Sequence, residues 1–323
     1  MAQTIFPVTR TLLVAGNVTG GGRAVDVSAF GVPTDATGVI LEVFNTNTGV
    51  RAWDVKKNGS TDNFLGSASG SLHAVGAVGL DADHKIYWVP DGDTPRFALY
   101  LLGYTMPGVW YFTNGTLISA GLVDATWTDI DLSTLIPANA KGVILRVNVS
   151  APNRIMGVRM KGSTDNHIVA IGNLNNCFGA FIGCDVNRFI QGYRDVAGVN
   201  LYLMGYITAG MVFPVNSIDM GSPAAPNWAD LPALPTNGRS AFVELYSGSR
   251  MWLREKGTDG TVYTYGNISN HAWYFSGADT DGIIQGFQTT DGGGFFVTAY
   301  GLGTRRIWSK SHPLSRKPNV AKT

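Results

Sequence analysis

Apolar and polar positions along the chain alternate over short runs that break at clusters of turn residues. Over residues 50–56, Val50, Ala52 and Asp54 oppose Arg51, Trp53 and Val55, the two-residue period of a strand with unlike faces. Residues 96–104 carry several apolar residues in succession, as a strand buried on both faces would. Between such runs stand Asn45-Thr46-Asn47-Thr48-Gly49, Asn58-Gly59-Ser60-Thr61-Asp62-Asn63 and Pro90-Asp91-Gly92-Asp93, whose side chains favour turns. The same reading predicts strands over 38–43, 142–149, 154–160, 177–184, 199–207, 240–246, 250–255, 261–265, 271–275 and 295–300, with a further short one near 127–132. We find no 3.6-residue stripe longer than three turns. Val, Ile, Tyr, Trp and Phe fill the runs, so the chain reads as all-β.

The pattern then repeats. Lys161-Gly162-Ser163-Thr164-Asp165 is echoed by Asn58-Gly59-Ser60-Thr61-Asp62 and by Lys256-Gly257-Thr258-Asp259, which has lost one residue; the aspartates are 103 and 94 residues apart. An apolar run opening on arginine precedes each copy: Arg51-Ala52-Trp53, Arg154-Ile155-Met156 and Arg250-Met251-Trp252. Upstream lie 38–43, 142–147 and 240–245, and downstream Gly79, Gly183 and Gly277 each stand two residues before an aspartate. A period of this kind means copies of one unit. The expected organisation is three tandem β-sandwich, jelly-roll-like domains of about 100 residues: repeat 1 over 1–107 with an N-terminal lead, repeat 2 over 108–209, repeat 3 over 210–304, and a basic tail over 305–323.

Composition narrows the picture. Charged residues make up 15% of the 323 and hydrophobic residues 45%, with 41 glycines, which is an ordered chain. The net charge of +1 gives no overall pull toward nucleic acid or membrane, but it is unevenly spread. Arg305, Arg306, Lys310, Arg316, Lys317 and Lys322 lie in the last 19 residues with no acid, which leaves the body at about −5. Cys177 and Cys184 are seven apart and read as free buried thiols. No run reaches the ~18 apolar residues of a membrane span and the N-terminus shows no signal segment, so neither membrane insertion nor secretion is expected.

Candidate chemistry is sparse. The glycine of the repeated turn supplies a positive φ, and the Ser, Thr and Asp side chains bond the backbone two residues on, so the motif reads as a turn first and a contact site second. Glutamate occurs only at Glu42, Glu244 and Glu255. Glu42 and Glu244 share a repeat position that holds Arg146 in the middle copy; the reading is of exposed, independent side chains, with an inter-unit Glu-Arg-Glu arrangement as the alternative. The five histidines lack metal-ligand spacing, and the Asp81, Asp185 and Asp279 triples read as Asx turns rather than calcium loops. No nucleophile elbow, phosphate loop or dinucleotide fingerprint is present. Expected are no catalytic residues, no metal and no cofactor. Aromatics beside acids are the remaining signal, which makes Trp53, Asp62, Asp165, Trp252 and Asp259 the candidate glycan or partner contacts, with core and inter-domain packing as the competing reading of the tryptophans.

The turn Lys161-Gly162-Ser163-Thr164-Asp165, preceded by Gly157-Val158-Arg159-Met160, together with its copy at 56–62, resembles a repeat of virion proteins of tailed bacteriophages. The resemblance runs through residues ~26–304, with about a dozen diagnostic residues per unit. It implies a non-enzymatic tail, fibre or head-appendage (decoration) component located in the virion, assembled in the host cytoplasm and docking on other virion proteins as a homo-oligomer. The tail residues Arg305, Arg306, Lys310, Arg316 and Lys317 are the candidate subunit-docking contacts. The alternative is a receptor-binding module that grips host-surface glycan. The units are expected in a linear or a pseudo-threefold array.

Overall fold

The computed structural model describes residues 3–15, 21–64, 66–68, 73–90, 97–149, 154–171, 177–235, 237–247, 251–258, 262–263, 270–290 and 292–303. Its strands fall into three stretches. The first holds β1 (Ile5–Ala15), β2 (Arg23–Asp26), β3 (Gly38–Asn45), β4 (Arg51–Lys57), β5 (Gly66–Ala68), β6 (His73–Gly79), β7 (Lys85–Pro90) and β8 (Phe97–Thr105). The second holds β9 (Val109–Leu117), β10 (Thr128–Asp131), β11 (Gly142–Val149), β12 (Arg154–Met160), β13 (Val169–Ile171), β14 (Cys177–Gly183), β15 (Phe189–Arg194) and β16 (Val199–Ile207). The third holds β17 (Met211–Val212), β18 (Ile218–Asp219), β19 (Ala229–Asp230), β20 (Gly238–Ser247), β21 (Met251–Glu255), β22 (Val262–Tyr263), β23 (Asn270–Gly277), β24 (Ile284–Gln288) and β25 (Gly294–Leu302). One 3-10 turn, Ser28–Phe30, is the only helical element among the described residues.

Each stretch forms two antiparallel sheets, and the strand orders correspond. The first sheets run β1-β8-β3-β6, β9-β16-β11-β14 and β17-β25-β20-β23, with β18 also on β25. The second sheets run β2-β7-β4-β5, β10-β15-β12-β13 and β19-β24-β21-β22. We call these sheet pairs the first, second and third units. The correspondence reaches single registers: Gly38 faces Gly79, Gly142 faces Gly183 and Ser240 faces Gly277. An irregularity of register falls at the same step three times, at Ile40/Leu41, Ile144/Leu145 and Phe242/Val243. Such bulges bend a strand locally and leave a specific signature.

One apolar cluster lies within the first unit, around Trp88, Leu41 and Leu99, and another fills the second, around Leu145, Ile190 and Leu203, with Trp273 of the third unit added to it. The third cluster belongs to the whole molecule. It joins the interior of the third unit to Ile40 and Val75 of the first and to Ile144 and Phe181 of the second. Here the equivalent strands β6, β14 and β23 meet one another, which sets the units around a pseudo-threefold axis and not in a line. Phe181 stacks on Phe242 at 3.5 Å between ring centroids, and Phe275 follows at 4.9 Å. Near one end of the axis, Thr4, Gly108 and Gly210, at equivalent places before each unit's first strand, crowd together: a Cβ on Gly108 would stand 2.9 Å from the Thr4 methyl. Absence of side chains is what permits that approach.

Two expectations fail here. Trp53 (6% exposed) and Trp252 (9%) are buried, because they fall on the inward face of β4 and β21. Trp53 lies near Trp88 and Trp252 meets Phe287 edge-on. Glu42, Arg146 and Glu244 are likewise buried, at 0%, 8% and 2% exposure, and each has partners. A charged group can be held inside only with compensating bonds; those of Arg146 and Glu244 cross the seams between units, and those of Glu42 stay within the first unit.

Candidate functional site

The repeated turn is a turn, and also a clasp. Gly59, Gly162 and Gly257 adopt φ of 85°, 91° and 80°, the left-handed region glycine enters at least cost. Ser60 Oγ accepts from Asp62 N and Ser163 Oγ from Asp165 N, the local bonds the sequence implies. The rest of each motif reaches into the next unit. Asn114 Oδ1 accepts from Ser60 Oγ and Thr61 N, both at 2.9 Å, while Gly115 N donates to Asp62 Oδ2 at 2.7 Å. The second copy repeats this with Asn216 Oδ1, which takes Ser163 Oγ at 3.0 Å and Thr164 N at 2.8 Å, and with Ser217 N donating to Asp165 Oδ2 at 2.6 Å. Asp259 lies outside the described residues.

The shared position on β3, β11 and β20 works as a second fastening. Arg146 crosses to the first unit and donates to Asp54 Oδ1 at 2.6 Å, Val55 O at 2.8 Å and Phe64 O at 2.7 Å. Glu244 crosses to the second unit and meets His167 Nδ1 at 2.8 Å. Burial pulls the His167 imidazolium down, but the bond and charge of Glu244, with Asp165 and Asp219, outweigh it and hold the group above its ordinary value. Glu42 stays within its own unit, bonded to His73 and, through Oε2 at 2.5 Å, to Arg10 Nε. Burial would raise the Glu42 carboxyl, and these two partners bring it below the usual carboxylate range. Arg10 also covers the face of Tyr100 at 3.3 Å.

Outside the seams, the second and third units display the same polar row. Asp129, Gln191 and Arg159 face one another across β10, β15 and β12, and Asp230, Gln285 and Arg254 do so across β19, β24 and β21. Each arginine Nε donates to its glutamine at 2.8 Å, and each glutamine donates to its aspartate at 2.9 Å. Each guanidinium stacks on a tryptophan, Arg159 on Trp127 at 4.0 Å and Arg254 on Trp228 at 4.1 Å. Lys161 and Lys256 complete the rows on the two aspartates. In the first unit Ala24, Tyr87 and Lys56 stand at these registers.

The second unit's row ends at a half-open cavity on its seam with the third. Its lining includes Trp127, Arg159, Asp165, His167, Ser217 and Glu244, and its volume is ≈ 350 Å³, open solvent at the mouth included. The corresponding place between the first and second units is a cavity lined by Val55, Val78, Arg146 and Met204, where the former has Val158, Ile182, Glu244 and Thr298.

No protein-family model matches the chain. No curated protein matches it. Among solved structures, it is similar to a chain of the atomic structure of Sulfolobus Turreted Icosahedral Virus at 8% identity and a TM-score of 0.24, over 93% of this chain and 92% of that one. It is similar also to a chain described under the triple jelly roll fold and turret assembly in an archaeal virus, at 9% identity and a TM-score of 0.24, over 93% and 91%. Likeness at that level transfers no residue or role, and the site is read from its own geometry.

Of the sequence candidates, Asp62 and Asp165 occupy corresponding places in two seams, Trp53 and Trp252 are interior, and Asp259 with the tail residues Arg305, Arg306, Lys310, Arg316 and Lys317 falls outside the described residues. The Asp triples are Asx turns: Asp81, Asp185 and Asp279 each accept two backbone N–H groups through Oδ1, at 2.7–3.0 Å. Cys184 is free and buried, its thiol pushed up to about 11 by burial and by the Asp185 charge; the Cys177 side chain lies outside the described residues. The clasp asparagines Asn114 and Asn216, and the pairing of Trp127 with Arg159 and of Trp228 with Arg254, were not read from the sequence. Their signal was available as matched offsets from the turn, 102 residues between the asparagines and 101 between the tryptophans.

Proposed function

We propose that the chain is a non-enzymatic structural component of a bacteriophage virion, a tail, fibre or head-appendage (decoration) protein that docks on neighbouring virion subunits. The observation that carries this reading is the clasp. The repeated motif, the feature on which the resemblance to phage virion proteins rests, is used to bind one unit to the next, and Arg146 and Glu244 are spent on the same seams. A chain so fastened offers several fixed faces around one axis, which suits a part built to be surrounded by other proteins. The basic segment 305–323 is the proposed docking tail. The test is electron microscopy of the intact particle together with mass spectrometry of purified virions. Density for the pseudo-threefold body at a defined site is expected, and absence of the chain from purified particles would refute the proposal.

A second reading, a module that recognises host-surface glycan, is favoured by one specific observation. An aromatic residue beside an aspartate recurs on the surface of two units, as Trp127 with Asp129 and Trp228 with Asp230.

A further inference from the structure

The seam between the second and third units differs in kind from the one before it. At corresponding positions Arg146 and Met204 give way to Glu244 and Thr298, and the cavity opens onto the Trp127–Arg159 row. Ser217 Oγ is buried beside this cavity without a hydrogen-bond partner, although a buried hydroxyl left unpaired is costly. Asp165 Oδ1 and Arg159 Nη2 also make no hydrogen bond among the described residues, since Asp165 uses Oδ2 for Ser217 N and Arg159 uses Nε for Gln191 and Nη1 for Asp165 O. The wall therefore offers an acceptor, a donor and a hydroxyl that can act as either. Its charges pair off, Glu244 with His167 and Asp165 beside Arg159, so no net charge awaits a counter-ion. Trp127 and Val215, the latter 50% exposed, supply apolar surface at the mouth.

We propose that this seam binds one residue of a neutral saccharide at its mouth, with vicinal hydroxyls directed to Asp165, Arg159 and Ser217. A pyranose presents adjacent groups that each donate and accept, together with apolar C–H faces, which matches planar polar side chains next to an aromatic ring. The space that a water-sized group can occupy, ≈ 20 Å³, takes a hydroxyl or a water, and the ring itself lies at the open mouth. The proposal deepens the glycan-recognition reading and leaves the chain's place in a particle to a separate experiment.

The test uses the full chain, fluorescently labelled, on an array of neutral and acidic oligosaccharides, with hits measured by calorimetry. Retention on neutral glycans is expected. Ser217→Ala should weaken binding at least about tenfold while the melting temperature of the free chain does not fall. Val215→Trp should abolish binding by filling the mouth, and Met204→Thr in the preceding seam should change nothing. Retention on acidic glycans alone, retention on none, or affinities unmoved by both Ser217→Ala and Val215→Trp would each overturn the assignment. None of these outcomes bears on whether the chain is found in virions.

Discussion

Replacing Arg146 by methionine separates one cooperative body from three linked ones. The guanidinium donates to Asp54, to Val55 O and to Phe64 O across the seam, and Asp54 is 1% exposed with Oδ2 unpaired. Removing it strands a buried carboxylate, a loss of about 3–5 kcal/mol. If all 323 residues unfold together, an unfolding entropy of about 2.1 cal/mol/K per residue sums to roughly 0.7 kcal/mol/K, so a loss of ~4 kcal/mol lowers Tm by about 6 °C. A sandwich of about 100 residues melting alone has roughly 0.2 kcal/mol/K, and the same loss would lower its Tm by about 20 °C. Because the axial cluster joins residues of all three units, we expect a single calorimetric transition displaced by the smaller amount. The double variant Arg146→Met/Asp54→Leu should recover most of the loss, since an apolar pair replaces the ionic one. A split transition of which only one part moves, or a displacement under about 1 °C, would refute this reasoning.

The clasp and the second seam yield two further expectations. Asn114→Ala and Asn216→Ala each remove the acceptor for a backbone N–H and a serine hydroxyl at the surface, so each should cost about 0.5–1.5 kcal/mol in urea unfolding, and by similar amounts; a neutral result at either site contradicts the clasp. His167 is raised above its ordinary value by Glu244, so its contribution is complete below pH ~6.5 and fades as pH rises through the raised value. Hydrogen exchange around 163–167 and 215–219, corrected for intrinsic rates, should therefore show less protection at pH 9 than at pH 6. The Arg146 seam should hold steady, and His167→Gln should erase the difference.

Strands were the most legible feature of the sequence. Gly142–Val149, Arg154–Met160 and Val199–Ile207 lie where the alternation places them, because in those runs the local preference and the buried face agree. The leads were less legible: Ile5–Ala15 and Val109–Leu117 are strands of nine residues or more, though their patterns are interrupted by Pro7, Arg10, Asn114 and Gly115. Those interruptions face a neighbouring unit or, for Arg10, bond Glu42, and a contact partner some 50 residues away leaves no periodic trace. Glu42, Arg146 and Glu244 misled for a related reason. A charged residue within a strand signals exposure unless its counter-ion is known, and here the partners lie 32, 92 and 77 residues distant. Trp53 and Trp252 sit where alternation with Arg51 and Arg250 is ambiguous, and only the sheet packed against their own decides which face is inside.

The varied occupancy of that one strand position shows what a single polypeptide permits. Three separate identical subunits around an axis must present the same side chain at every seam, and any change is made in triplicate. With the copies fused, Glu42, Arg146 and Glu244 could each take a different partner. One junction is locked by a permanently charged group, while its neighbour answers to acidity. The molecule retains the economy of rotational design while individual edges are free to specialise.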